Sequence, residues 1–332
     1  MKAGLRIPGE WERHEACWLA FPHLAEEWPL GLARGQRSIA ALCRAIAGPG
    51  GEPVRLLVRN AEVERQARAL IGTTSNIEYV PAAYGDCWLR DTAPLFGHDS
   101  DGQLGGLRFQ LNGWGGKFEM PSDDTVGDWL LDRLGARGAR SPLFLEGGAL
   151  ESNGAGTFLT TESCVLNENR NPGLTRDAFE SALAELVTTE RVIWLEQGLE
   201  HDHTDGHVDM IARFTSDDTV LCMGPKQGAP NATVLHDIVV ALRDAELAVH
   251  ELPAPSALAD AEGAPLPASY CNFYVANDAV VVPTYGLPED EAALEVVREA
   301  FGGREAIGLP ARDLLCGGGA FHCATQPQPA AP

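Results

Sequence analysis

One pattern recurs along this chain and restricts its fold more than any other. A polar, often glycine-bearing loop enters a strand, a turn follows, and an apolar strand leaves. Glu146-Gly147-Gly148-Ala149-Leu150 leads through Ser152-Asn153-Gly154 into the β-rich run 157–161. Gly206-His207-Val208-Asp209 leads through Asp217-Asp218 into 219–222, and Cys271-Asn272-Phe273-Tyr274-Val275 through Asn277-Asp278 into 279–282. Asn-Gly and Asn-Asp between β-rich runs are hairpin signals. Helical spacing of apolar residues marks 37–47, 61–71, 175–187, 233–246 and 289–301 as helices. Units begin near residues 86, 146, 205, 270 and 317, roughly sixty residues apart. A repeat unable to bury its own face must stack on its neighbours. The expectation is one α/β domain of five units over 1–326, with 327–332 as a frayed C-terminal tail.

Composition narrows the class of partner. The 332 residues, 45% hydrophobic, suffice for a large core. Asp plus Glu (47) exceed Lys plus Arg (25), a formal charge of -22. Such a field disfavours nucleic acid and anionic membrane and favours small cations. Eight cysteines without paired spacing read as reduced thiols. The polar stretch 1–18 has no apolar leader core, and no run approaches the ~18 apolar residues of a membrane span. A cytoplasmic protein is expected.

The entry loops carry the same reactive types. The first offers Asp86, Trp88, Arg90 and Asp91, the second Glu146, the third His207 and Asp209, and the last Cys323 after Gly317-Gly318-Gly319-Ala320-Phe321-His322. A period of two would set His207 and Asp209 on one face of an extended strand. A thiolate is a nucleophile, and a nearby protonated His would help hold it ionised. Carboxylates bind guanidinium in bidentate geometry. Such a set suits attack on a guanidinium carbon. Bland alternatives stand beside each: Asp86 and Asp91 pairing with Arg90 on a surface loop, a structural His207, a merely packed Cys323. Within His201-Asp202-His203-Thr204-Asp205-Gly206-His207, a metallohydrolase cluster of His201, His203 and His207 is the rival reading. Residues 254–267 form a Pro/Ala loop that reads as a lid or an exposed connection.

Taken together, the segments GEWERHEACWLAFP (9–22), DCWLRDTAPLF (86–96), LNGWGGKF (111–118), 145–172, TDGHVDMIARF (204–214), 268–286 and GGGAFHCATQ (317–326) resemble the agmatine deiminase family, related to bacterial-type peptidylarginine deiminase. The resemblance implies a five-bladed pseudo-symmetric α/β propeller (the pentein fold). It implies hydrolysis of agmatine to N-carbamoylputrescine and ammonia, feeding polyamine biosynthesis, with no metal and no cofactor. Cys323 would be the nucleophile and His207 the general acid/base. Asp91 and Asp209 would bind the guanidinium, Glu146 would support His207 and the substrate, Trp88 would line the pocket, and Asp86 would assist binding. A homo-oligomer is compatible with this reading. Peptidyl-arginine deimination, amidino transfer and a non-catalytic pentein module are the alternatives. Asp91-Thr92-Ala93-Pro94 replaces the family's usual Asp-x-Gly-Pro, Gln326-Pro327 a usual Gln-Gln, and Glu151 stands where many members have His.

Overall fold

Five sheets of three or four strands and one two-stranded hairpin make up the strands of the computed structural model, which describes residues 4–229 and 231–332. In four of them an antiparallel hairpin is followed, across a helix, by a third strand running parallel to the second. Leu95–His98, Leu104–Gln110 and Arg137–Phe144 form the first such trio. Glu151–Ser152, Thr157–Thr161 and Arg191–Leu195 form the next. Ala212–Phe214, Thr219–Met223 and Ala248–Leu252 follow, then Tyr274–Val275, Ala279–Thr284 and Glu305–Pro310. A parallel pair needs a crossover, and the helices Asp123–Leu134, Arg176–Ala184, Ala232–Asp244 and Asp290–Ala300 supply it.

The remaining sheet joins the two ends of the chain. His14–Ala20, Val54–Val58 and Ile77–Pro81 run parallel, linked by helices Leu32–Ala47 and Ala61–Ile71. Their antiparallel partner is Gln326–Pro329, with Cys17 opposite Pro327 and His14 opposite Pro329. The expected frayed tail is thereby corrected: Gln326 and Gln328 are buried, and the Trp18 indole donates to Gln328 at 3.0 Å. Pro327 and Pro329 fit because this is an edge strand, where a missing N–H costs no ladder bond.

Local chemistry accounts for the element ends. Asn60 caps its helix by accepting from the Glu62 and Val63 amides, each at 3.0 Å. The first helix begins five residues before the periodicity suggests, at Leu32. The reason is Gly35, whose missing Cβ leaves room for the Trp28 ring: an added Cβ would lie 2.3 Å from it. Strands such as Val54–Val58 and Ala279–Thr284 are apolar on both faces and almost wholly buried, as expected of strands covered by helices. The stretch 254–267 holds a small hairpin, Leu258–Ala259 with Pro265–Leu266. All eight cysteines are free thiols. Among the described residues no helix is long and apolar enough to cross a membrane.

Candidate active site

Each unit's first strand is preceded by a tight turn, and the candidate site is assembled from those turns. They are Leu89–Thr92, Gly147–Ala149, Val208–Met210, the bend 269–272, and Phe321–Ala324. They bring together Asp91, Glu146, His207, Asp209, Asn272 and Cys323. Expectation and structure differ over His207 and Asp209. Val208–Met210 is a single 3-10 turn rather than a strand, so the two side chains converge by curvature and not by alternation. Gly148 lies against the centre of the group. A Cβ there would stand 2.7 Å from His207 Nδ1, 2.9 Å from Asp91 Oδ1 and 3.0 Å from Asp209 Oδ2. Only glycine leaves space for these three side chains.

The protein grips each acid from behind. Asp91 accepts from the Trp114 indole (Oδ2, 2.8 Å) and the Gly148 amide (Oδ1, 2.9 Å). Burial, joined by the like charges of Asp209 and Glu146, still pushes its carboxyl up to about 6, against the opposing pull of His207. Glu146 accepts from Arg170 Nε at 2.8 Å and lies 3.2 Å from His207 Nε2. Although burial opposes its charge, His207 and Arg170 hold its carboxyl below the usual range. Asp209 Oδ2 meets His322 Nδ1 at 2.7 Å and Asn272 Nδ2 at 3.2 Å, whereas its Oδ1 is buried with no partner. His207 Nδ1 is likewise open, 3.9 Å from Asp91 Oδ1. Burial disfavours charge on this imidazole, but Asp91, Cys164 and Glu146 raise its pKa well above the ordinary value.

Cys323 Sγ lies 3.1 Å from Asn272 Nδ2 and 3.5 Å from Asp209 Oδ2. Burial first, then the charges of Asp209 and Asp91, push its pKa well above normal. The sulfur thus faces an amide and a carboxylate, surroundings that disfavour the thiolate while no cation is bound. Trp88 packs beside it, and Gly319 lets both approach, since a Cβ there would meet the Trp88 ring at 2.8 Å and Cys323 Sγ at 3.2 Å. A cavity opens from Cys323 and Asp91 past Trp88, Trp114 and Phe118 to Glu26 and Glu27, with Pro265, Leu266 and Pro267 of the small hairpin along one side. Asp86 is not among its lining residues. It is buried behind, with both carboxylate oxygens unpartnered, and burial pushes its pKa up to about 7.

The metal cluster expected as a rival does not form as a trio among the described residues. His201 and His203 line the cavity mouth, while His207 groups instead with Glu146 and Cys164, their ligand atoms all within 4.8 Å. Arg170, bonded to Glu146, places a fixed cation beside that set and makes it a poor cation site. Arg90 does not pair with Asp86 or Asp91 on the surface; it is buried against Glu10 at 2.6 Å. Sequence reasoning assigned nothing to Asn272, Trp114, Arg170, Glu10 or His322. For Asn272 a signal existed: it precedes the first strand of its unit, the position that carries the reactive residue in the others.

The model of the Porphyromonas-type peptidyl-arginine deiminases matches residues 6–329. The chain belongs to this family. An agmatine deiminase of Ectopseudomonas mendocina is 34% identical over 98% of this chain and 96% of its own length. The solved agmatine deiminase of Enterococcus faecalis superposes with a TM-score of 0.91 at 30% identity, covering 99% of this chain and 97% of that one. A Cys-to-Ser variant of C. jejuni agmatine deiminase, solved with substrate bound, gives 0.90 at 27% identity, covering 98% and 97%.

Proposed function

We propose that this family member hydrolyses the guanidinium of agmatine to N-carbamoylputrescine and ammonia, with Cys323 as nucleophile. One observation carries the reading. The Cys323 thiol lies against the buried Asp209 carboxylate, and in the same cluster Asp209 Oδ1 and His207 Nδ1 are both buried with no partner. A buried acceptor with no donor calls for a cationic hydrogen-bonding guest. A planar guanidinium with five N–H donors answers it, and the family membership agrees.

The reaction follows from the charges. Guanidinium bound by Asp91 and Asp209 neutralises the field that keeps Cys323 protonated, so substrate arrival itself favours the thiolate. Sulfur attacks the guanidinium carbon, and the thiol proton passes by way of His207 to the departing amino group. Ammonia leaves and a thiouronium cation remains on Cys323. Water then adds to the same carbon, giving a proton to His207, and the C–S bond breaks to release the ureido product and the thiol. Asp91 and Asp209 balance the cation throughout, and Glu146 holds the imidazole in place. We propose further that the five units stand around one axis as a five-bladed α/β propeller, which would explain why their equivalent turns meet.

The cavity favours a dication over a zwitterion. Glu26 and Glu27 stand at its mouth, and no Lys or Arg lines it among the described residues to receive the carboxylate of free arginine. Ammonia release from agmatine, free arginine and an arginyl peptide, each with and without iodoacetamide, tests this. Agmatine alone should turn over, and alkylation should abolish it. Turnover of the peptide instead would assign the cavity to peptidyl-arginine.

A further inference from the structure

Directly behind the pocket, the ring of His322 is held between two acids. Nδ1 lies 2.7 Å from Asp209 Oδ2 and Nε2 3.0 Å from Glu10 Oε2, with the residue 1% exposed. An ionised carboxylate only accepts, and a neutral imidazole has a single N–H to give. Burial opposes the charge of each acid, but apart from His322 itself His207 and Arg213 favour ionised Asp209, and Arg213 and Arg90 favour ionised Glu10. A neutral ring would therefore turn a lone pair on one of them.

Charge balance points the same way. The buried chain consists of Asp209, Glu10 and Glu151 against Arg90 and Arg213, joined by contacts of Glu10 with Arg90 (2.6 Å) and Arg213 (2.9 Å) and of Arg213 with Glu151 (2.9 Å). Three anions face two cations unless His322 is the third. The backbone around the ring is held by neutral groups and Arg90: its N–H donates to the Asn272 carbonyl, and its carbonyl accepts from the Thr325 amide and hydroxyl and from Arg90 Nε.

We infer that His322 is a positioning residue of the reaction: it carries a proton on both ring nitrogens and fixes Asp209 through Oδ2, the oxygen 3.5 Å from Cys323 Sγ, leaving Oδ1 without a protein donor. This rests on the reading of Asp209 as a guanidinium partner. One short helical turn, Phe321–Ala324, then sets both the nucleophile and the orientation of the acid opposite it. A ring that donates twice cannot rotate without breaking a charge-assisted bond at each end.

Two measurements test the inference. In the unsubstituted enzyme labelled with ¹⁵N-histidine, the resonances missing from His322→Gln identify the ring, and both its nitrogens should carry protons. One bare nitrogen overturns the inference, whatever the variants do. In kinetics, His322→Phe should lower kcat/KM roughly 10²-fold, with KM raised as well as kcat lowered. His322→Gln, which keeps one donor, should fall between. Because His322 acts through Asp209, adding His322→Phe to Asp209→Asn should cost little more than Asp209→Asn alone. A full additional loss in the double variant would assign His322 a role apart from Asp209 and overturn the inference. If Asp209→Asn is itself fully active, the reading of the pocket fails first; if it is inactive while His322→Phe is unaffected, only this inference fails.

Discussion

Two buried groups of charged residues lie against each other in this molecule, and they are built on opposite rules. The inner one, Glu10, Arg90, Arg213, Glu151 and His322, is paired: among its oxygens and nitrogens nearly every polar atom has a partner within hydrogen-bond reach. The outer one, Asp91, Glu146, His207, Asp209 and Cys323, is left short. Asp209 Oδ1 and His207 Nδ1 have no partner, and the acids raise one another's pKa or that of the thiol. The same side-chain types thus serve as a strut in one place and, on the proposed reading, as the seat of a cation in the other. What separates them is whether positive charge was built into the chain or must arrive with the substrate.

The comparison breaks most severely at the thiol. Cys323→Ala should lower turnover on the order of 10⁴-fold or more while leaving the melting temperature nearly unchanged; retained turnover in steady-state assays would remove Cys323 from the chemistry. The inner group should answer in stability instead. Glu10→Gln strands Arg90 and Arg213, and chemical denaturation should show a loss of about 3–5 kcal/mol. If stability is unchanged, the strut is no strut. Back in the pocket, Asp91→Asn should lower kcat/KM roughly 10²-fold, mainly through KM, because it removes one of the charges awaiting the substrate.

Asp86 sharpens the contrast from a third position, as a buried acid neither of whose oxygens has a partner at hydrogen-bond distance, although the Cys87 amide and the Trp88 and Trp28 indoles partly oppose the effect of burial. Its folded-state carboxyl is raised to about 7 by burial, above the ordinary value of 3.8. The unfolded chain therefore ionises first, so stability declines as pH rises from about 4 to about 7 and then levels off. Asp86→Asn should remove that decline and gain on the order of 4 kcal/mol at pH 8. Equal pH dependence in the two proteins would show that Asp86 has a partner. The smallest effect concerns Asp91, raised to about 6. Below that value it is neutral and above it ionised, so kcat/KM for a guanidinium should fall as pH drops through about 6, by up to tenfold per unit. A profile flat from pH 5 to 7 would contradict it.

Much of this was legible in the sequence, and for identifiable reasons. Helix 61–71 carries a local signal, apolar residues at helical spacing, and it falls where expected. The five units could be counted because Asn and Asp turns punctuate them. Asp91, Glu146, His207, Asp209 and Cys323 could be nominated because each opens a unit, and they do converge. What could not be read was the back of the site. Glu10 reaches His322 from the other end of the chain, and no local periodicity encodes a contact at that separation. Nor could the surroundings of the sulfur be read: His322, next to Cys323 in sequence, turns to Asp209, and the thiol meets Asn272 and Asp209. Asp86 was nominated by type and position, but the indoles of Trp28 and Trp88, stacked at 6.2 Å, mark a wall that its loop partners alone do not reveal.

The pairing of Gln326–Pro329 with His14–Ala20 has a consequence for the order of events in a cell. Translation delivers the acids of the pocket first and its sulfur last, and the strand that locks the final turn in place follows the sulfur by only a few residues. On the proposed reading, the residue that attacks is therefore among the last to be made, and the strand that holds its turn is the last to join a sheet.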